Sequence, residues 1–264
     1  MTAGFARGRD LRTDHGRPPN RYNEALPELS IVVPAYNEAA RLPLSLPKLA
    51  AFCRQHGSAE LLVVDDGSRD TTAAVIQAFA REHSFARLVS NPGNRGKGYA
   101  VRHGAGESQS EWILITDADL SSPIEEVEKL FAAVRKEQAA IAIGSRALDR
   151  SLVGVHQATL REWSGRFFNV VMRVATGLPF RDTQCGFKLY RRDAAHAIFP
   201  RQRLDGFGFD VEDLLIARIH KFKAVEVPVR WDNVEGTKVS PLSGARAFWD
   251  LAQVRWNHVR GLYK

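Results

Sequence analysis

Trp112-Ile113-Leu114-Ile115-Thr116-Asp117-Ala118-Asp119 is a short, apolar run that ends in two carboxylates one residue apart. A strand with one wet face would carry a polar residue at every second position. This run does not, so it reads as a strand buried on both faces with its polar groups gathered at the carboxyl end. The signature recurs along the chain. Leu29–Ala35 leads into Tyr36-Asn37-Glu38, and Glu60–Asp65 leads into Asp66-Gly67-Ser68-Arg69-Asp70. Ala86–Asn91 leads into Pro92-Gly93-Asn94-Arg95-Gly96-Lys97-Gly98, and Ile141–Ser145 is a fifth strand. Segments of helical period fill the intervals: Leu42–His56, Thr71–His83, Gly98–Gln109 and Ile124–Gln138. Repeated βα units with short connections predict an α/β fold, an open doubly wound sheet, mostly parallel, with helices on both faces.

Two helix starts carry capping signals. Ser122-Pro123-Ile124-Glu125 offers an N-cap serine, proline at the first helical position and glutamate three residues after the cap. Asp70 before Thr71-Thr72 is a second expected N-cap. Beyond residue 147 the pattern loosens. Helical period resumes over Arg161–Thr176 and again over Val211–Lys221, between short strands near Gly186–Tyr190 and Ala224–Val229. Ala245–Leu262 reads as a final helix. The expected organisation is a tail at 1–28, one domain with a variable second half at 29–240, and a C-terminal amphipathic helix at 241–264.

Composition narrows the class. The chain has 264 residues, 44% hydrophobic and 25% charged, as in ordinary globular proteins. Its longest apolar runs are far too short to cross a bilayer, and the Arg- and Pro-rich start has no apolar signal region. Two cysteines, Cys53 and Cys185, form neither a metal-ligand spacing nor a disulfide framework. The expected place is therefore reducing, the cytosol or a cytosolic membrane face. The net charge of +7 and the pI near 9.6 suit an anionic partner. The basic residues are dispersed and carboxylates line the expected cleft, so nucleic acid is not that partner.

In open α/β sheets ligands sit outside the carboxyl ends of the strands. Here those ends carry an aromatic ledge at Pro34 and Tyr36, carboxylates at Glu38, Asp65, Asp66, Asp117 and Asp119, and a glycine-rich loop with Lys97. A planar base can pack on the ledge, and a carboxylate can accept from base N–H or ribose hydroxyls. Two carboxylates in a D-x-D turn suit a hard divalent cation, Mg²⁺ or Mn²⁺, which would bridge a diphosphate and ease its departure. Lys97 adds a positive charge near the phosphates. Residues 93–98 do not have the P-loop spacing, and no G-x-G-x-x-G follows the first strand, which argues against a dinucleotide dehydrogenase.

These motifs resemble family 2 glycosyltransferases with the GT-A fold. The first half carries the general pattern: Val32-Val33-Pro34-Ala35-Tyr36-Asn37-Glu38, Val63–Thr72 and Asp117-Ala118-Asp119-Leu120. The second half is similar to dolichyl-phosphate β-glucosyltransferases and their polyprenyl-phosphate relatives. It includes Gly144-Ser145-Arg146, Asp182-Thr183-Gln184-Cys185-Gly186-Phe187-Lys188, Gly208-Phe209-Asp210-Val211-Glu212, Glu226–Trp231 and Gly236-Thr237-Lys238-Val239. The resemblance implies that Pro34, Tyr36, Glu38 and Asp66 surround the nucleoside, with Asn37 and Gly67 in the same site. It implies that Asp117, Ala118 and Asp119 meet ribose, diphosphate and metal, Asp119 being the main ligand. Ser121 stands where related mannosyl-transferring enzymes often carry Gln, and is by that resemblance the expected further metal ligand, though serine ligates only weakly. Arg146, Arg161, Ser164 and Lys188 match positions that meet an acceptor phosphate.

The expected reaction is inverting transfer of a hexose from a nucleotide sugar, UDP-glucose first and GDP-mannose second, to a polyprenyl or dolichyl phosphate. A phosphate monoester is already anionic at neutral pH, with its second pKa at about 6, so it needs no general base. It needs forked cationic donors such as Arg146 and Arg161. Asp210 and Glu212 are expected to orient sugar hydroxyls, or to supply a base if the acceptor is a saccharide hydroxyl. A non-catalytic nucleotide-sugar binder is the reading from another class, and the intact D-x-D argues against it. The C-terminal helix, with Phe248, Leu251, Trp256 and Val259 near helical spacing and arginines between them, either lies on an anionic membrane surface or packs on the domain.

Overall fold

The computed structural model describes residues 28–155, 170–232 and 242–264, with the side chains of 155 and 242–247 left aside. Arg161, Ser164, the tail at 1–27 and Gly236–Val239 lie outside the described residues. In chain order the elements are β1 (Leu29–Ala35), α1 (Leu42–His56), β2 (Ala59–Asp65), α2 (Thr72–Glu82), β3 (Ala86–Ser90) and α3 (Lys97–Glu107). Then come β4 (Trp112–Ile115), α4 (Val127–Glu137), β5 (Ile141–Ser145), β6 (Val153–Val155) and α5, described over 170–176. The second half continues with β7 (Lys188–Arg191), α6 (Arg192–Ile198), α7 (Phe209–Ile219), β8 (Ala224–Pro228), β9 (Trp231–Asp232) and α8 (Leu242–Val259).

Seven strands form one sheet in the order β3-β2-β1-β4-β7-β5-β8. β1 pairs in parallel with β2 on one side and β4 on the other, so the winding reverses between β1 and β4 and a crevice opens outside their carboxyl ends. Tyr36–Glu38 and Asp117–Asp119 leave the sheet on either side of that crevice. β7 runs antiparallel between β4 and β5. This reversal sets Lys188, the first residue of β7, opposite Ile115, the last residue of β4. A basic residue far along the chain thereby reaches the ligand edge.

Both faces of the sheet are covered, which is why its strands read as continuous apolar runs. Ile31, Val33, Leu61, Val63 and Leu114 pack with α1 and α4, while Val32, Leu62, Val64, Ile113 and Ile115 face α3, α7 and α8. Each fully buried aliphatic side chain contributes about 1.5–3 kcal/mol, against about 1 at most for an exposed ion pair such as Arg191–Asp193. The core, not surface charge, holds the fold.

The two capping expectations separate. The N-cap position of α2 is Thr71; Asp70 stands one residue before it, and its Oδ1 accepts the Thr72 amide at 2.9 Å. Ser122 does not cap α4: Pro123 is extended (φ −57°, ψ 143°), residues Ile124–Glu126 form a 3₁₀ turn, and the α-helix starts only at Val127 with no side-chain cap. Proline here ends the incoming segment instead of beginning the helix.

Asp213 on α7 is fully buried, and neither carboxylate oxygen has a hydrogen-bond partner. Burial, reinforced by Glu212 and Asp210 nearby, pushes its carboxyl well above the usual range. The folded chain holds this group neutral while the unfolded chain ionises it above about pH 4, so folding stability falls as pH rises from there toward the folded value. Asp213→Asn removes that slope. Urea titrations at pH 4.5 and pH 8 should show the variant gaining about 1–3 kcal/mol on wild type between the two, the cost of an uncompensated buried polar group. Parallel stability–pH curves would count against it.

Candidate active site

The loops after β1 and β2 are stitched together by side chains. Asn37, in the left-handed region at φ 53°, accepts the Arg69 amide on Oδ1 at 2.8 Å, and its own amide donates to Ser68 Oγ at 2.9 Å. The Glu38 amide donates to Thr72 Oγ1 at 2.7 Å. Pro34 and Tyr36 stay part-exposed on β1's carboxyl end. Asp66 is buried, and its carboxylate accepts Asn91 Nδ2 (2.7 Å), the Arg95 amide (3.0 Å) and the Gly96 amide (2.8 Å). Asp66 thus orders the glycine loop at the edge where the nucleoside is expected. Gly67 packs against the backbone of Gly93 on that loop.

The Asp117–Ser121 turn follows β4. Leu120 takes φ 51° and its amide returns to the Asp117 carbonyl at 3.1 Å, a conformation unfavourable for a bulky residue and seen where surroundings enforce it. The bend lets Ser121 donate twice to Asp119 Oδ1, from its amide at 3.0 Å and its hydroxyl at 2.9 Å. Ser121 thus orients the Asp119 carboxylate and keeps its own hydroxyl beside it. Ser121's carbonyl accepts the Asp232 amide at 2.8 Å, tying the turn to β9.

Four carboxylates here each face a cation from another element. Lys97 Nζ lies 2.6 Å from Asp117 Oδ1, and Arg41 Nη1 lies 3.5 Å from Asp119 Oδ2. Lys188 pairs with Asp210. Arg146 binds Asp182 through Nε at 2.7 Å, Nη2 at 2.8 Å and its amide at 3.0 Å. Arg41 also binds Glu38, at 3.0 Å. Burial raises the Asp117 carboxyl, but Lys97, then Lys188 and Arg146, outweigh it and hold the group below its ordinary range. Burial lowers Lys97, and Asp117 and Asp210 more than reverse that, so its pKa is pushed up to about 12. Asp182 is held low by Arg146 against burial. Asp210 goes the other way: burial outweighs Lys188 and Lys97 and raises it.

Gly186 explains the glycine in the Asp182–Lys188 run, since a Cβ there would lie 2.3 Å from Asp117 Oδ2. Two further residues carry buried charge. Lys188 is almost wholly buried and donates to the Cys185 carbonyl (2.6 Å) as well as to Asp210, so it sets Asp210 in place. Glu212 points away from the site: it accepts Tyr263 Oη at 2.6 Å and the Arg203 and Leu204 amides at 3.0 and 2.8 Å, a strut for the segment entering α7. Helix period places Asp210 and Glu212 on different sides of α7. Arg41 and Asp182 join the site although sequence reading passed over them. Arg41 has no motif around it, and Asp182 carried only its membership in the Asp182–Lys188 run.

The donor set fits a hard divalent cation. Asp117 and Asp119 present carboxylate oxygens in one turn with side chains 38% and 20% exposed. No cluster of three or more ligating side chains exists among the described residues. Mg²⁺ and similar ions use one or two protein carboxylates and fill the remaining positions with phosphate and water.

Residues 30–199 match the model of the family described as Glycosyl transferase family 2. The chain belongs to that family. As a family 2 glycosyltransferase it is 35% identical over 244 residues to dolichyl-phosphate beta-glucosyltransferase ALG5C of Trichomonas vaginalis, covering 89% of this chain and 72% of that protein. It is 34% identical to the dolichyl-phosphate beta-glucosyltransferase of Homo sapiens over 93% of this chain and 80% of that one. The Saccharomyces cerevisiae protein of the same name is 32% identical over 89% and 76%. Among solved structures, glucosyl-3-phosphoglycerate synthase from Mycobacterium tuberculosis, in complex with Mn²⁺, UDP and phosphoglyceric acid, superposes with a TM-score of 0.64. It is 19% identical and covers 87% of this chain and 78% of that one, which establishes the shared GT-A fold.

Proposed function

We propose that this glycosyltransferase moves glucose from UDP-glucose to a polyprenyl or dolichyl phosphate, with inversion at the anomeric carbon. The activity for which the relatives are named supports the reading, and one feature of the site favours a phosphate acceptor. Asp117, Asp182 and Asp210 are each held by a cation, so none of these three stands ready as the base a hydroxyl acceptor requires. A lipid monophosphate needs no base. It needs a fixed fork of donors, and Arg146 is clamped by Asp182 with its guanidinium 5.5 Å from the Trp231 ring centroid.

Asp119, steadied by Ser121, and Asp117 would hold Mg²⁺ or Mn²⁺. When bound, the ion neutralises the diphosphate and favours its departure. Lys97 adds charge beside the same phosphates, Pro34 and Tyr36 seat the base, and Asp210 is placed to orient sugar hydroxyls. Arg161 and Ser164 complete the acceptor-phosphate set by the family resemblance. Peripheral attachment to the cytosolic face of a membrane belongs to the same proposal. No helix among the described residues is long and apolar enough to cross a bilayer. α8 instead exposes Trp249, Trp256 and Val259 along one side, with the exposed Arg255 and Arg260 at its borders.

Radiolabelled UDP-glucose and GDP-mannose, each with polyprenyl phosphate and Mg²⁺ or Mn²⁺, provide the test. Label from UDP-glucose should enter the organic phase only when metal is present. Label moving solely to a soluble sugar would overturn the lipid-phosphate reading, and label from GDP-mannose alone would overturn the donor.

A further inference from the structure

Each carboxylate of the D-x-D turn faces a basic side chain, and the two pairings differ. Lys97 Nζ lies 2.6 Å from Asp117 Oδ1, a close contact, whereas Arg41 Nη1 lies 3.5 Å from Asp119 Oδ2. Distance makes the second pair the looser one. The two oxygens of Asp119 also have different surroundings. Ser121 donates to Oδ1 from its amide at 3.0 Å and from its hydroxyl at 2.9 Å, which leaves Oδ2 as the oxygen for an incoming cation. Oδ2 is the oxygen that Arg41 faces.

Arg41 is fixed at its base. It sits directly before α1, where its amide and that of Leu42 both donate to the Glu38 carbonyl at 3.0 Å. Its Nε lies 3.0 Å from Glu38 Oε2. The guanidinium therefore bridges the loop after β1, where the nucleoside is expected, and the D-x-D turn. A guanidinium stays protonated at every working pH, so a divalent cation taken up at Asp119 meets a standing positive charge. Glu38 holds Arg41 from the other side, so that charge remains beside the turn when Asp119 turns to a metal. A nucleoside diphosphate reverses the balance, because its negative charge attracts the same guanidinium that repels a lone ion.

We infer that Arg41 is a positioning residue that makes metal uptake depend on the donor nucleotide. It opposes a lone divalent cation at Asp119 Oδ2, and it favours the same cation arriving with a nucleoside diphosphate. The inference rests on the metal assignment above. Its physical content is a sign: one fixed charge raises the Kd of the ion alone and ceases to do so once the diphosphate is present.

The test measures Mn²⁺ binding from the electron-spin-resonance signal of the unbound ion, first with Mn²⁺ alone and then with saturating UDP. Arg41→Gln removes the charge and should tighten Mn²⁺ alone about 10-fold, the size of the repulsion between a single and a double charge a few ångströms apart in a part-exposed site. Arg41→Lys keeps the charge but loses the planar fork, and should stay within about 3-fold of wild type. A role in packing or in holding Glu38 would instead move the two variants together. With UDP present the gain should vanish, leaving Arg41→Gln within about 2-fold of wild type or weaker. Mn²⁺ alone binding no tighter to Arg41→Gln, while UDP still binds, would refute the inference. So would equal tightening with and without UDP, or tightening in Arg41→Lys as well. An Asp119→Asn protein that takes up Mn²⁺ and UDP as wild type does would bring down the metal assignment itself.

Discussion

Asp119→Asn should lower turnover by about 10²–10³-fold or more, the range lost when a group stabilising developing charge is removed. The substitution is nearly silent for the fold. Asparagine keeps an Oδ1 acceptor for both Ser121 donors, so the Leu120 bend retains its two closing hydrogen bonds. What disappears is the negative charge that would hold the cation, together with the pairing to Arg41 at 3.5 Å. With part-exposed partners that pairing contributes about 1 kcal/mol at most, so the thermal midpoint should move by no more than about 4 °C. Initial rates at saturating metal, beside a melting curve, measure both. Rates near wild type would remove Asp119 from the site.

Asp182→Ala should be the most damaging change away from the D-x-D turn. Asp182 is buried and accepts three N–H groups from Arg146, while its own amide donates to Glu226 Oε1 at 2.8 Å. Losing one partner of a buried pair costs about 3–5 kcal/mol, but Arg146 is a third exposed and water takes over part of the role, so about 1–3 kcal/mol is expected. Activity should fall at least about 10²-fold, because a guanidinium free to swing misplaces the group it positions. Since Arg146 holds the Asp182 carboxyl below its usual range, this contribution is present above about pH 4 and is lost as pH falls through the folded value. Asp182→Asn should therefore show a flatter acid limb in its stability–pH curve than wild type. Full activity in Asp182→Ala would mean that Arg146 does not meet the acceptor.

Strands β1 to β5 and helices α1 to α4 were legible to within about three residues, because burial on both faces and the 3.6-residue period write themselves into neighbouring positions. The gathering of polar groups at the strand ends was legible for the same reason. Within the site, the sequence determined which residues belong to the D-x-D turn and the glycine loop. Direction and partnership were not available there. β7 carries no local mark of running antiparallel between β4 and β5, yet that reversal is what buries Lys188 beside Asp210, 22 residues away. The Arg146–Asp182 clamp spans 36 positions and the Tyr263–Glu212 strut spans 51, so no period links them. Acids adjacent in sequence consequently took different jobs: Asp210 at the site, Glu212 in a strut, Asp213 neutral in the core. Sequence by itself determined the sheet and the D-x-D edge, because local periodicity reports burial. Only the tertiary structure decided which charge meets which, because a charge's role is set by the partner that folding brings to it.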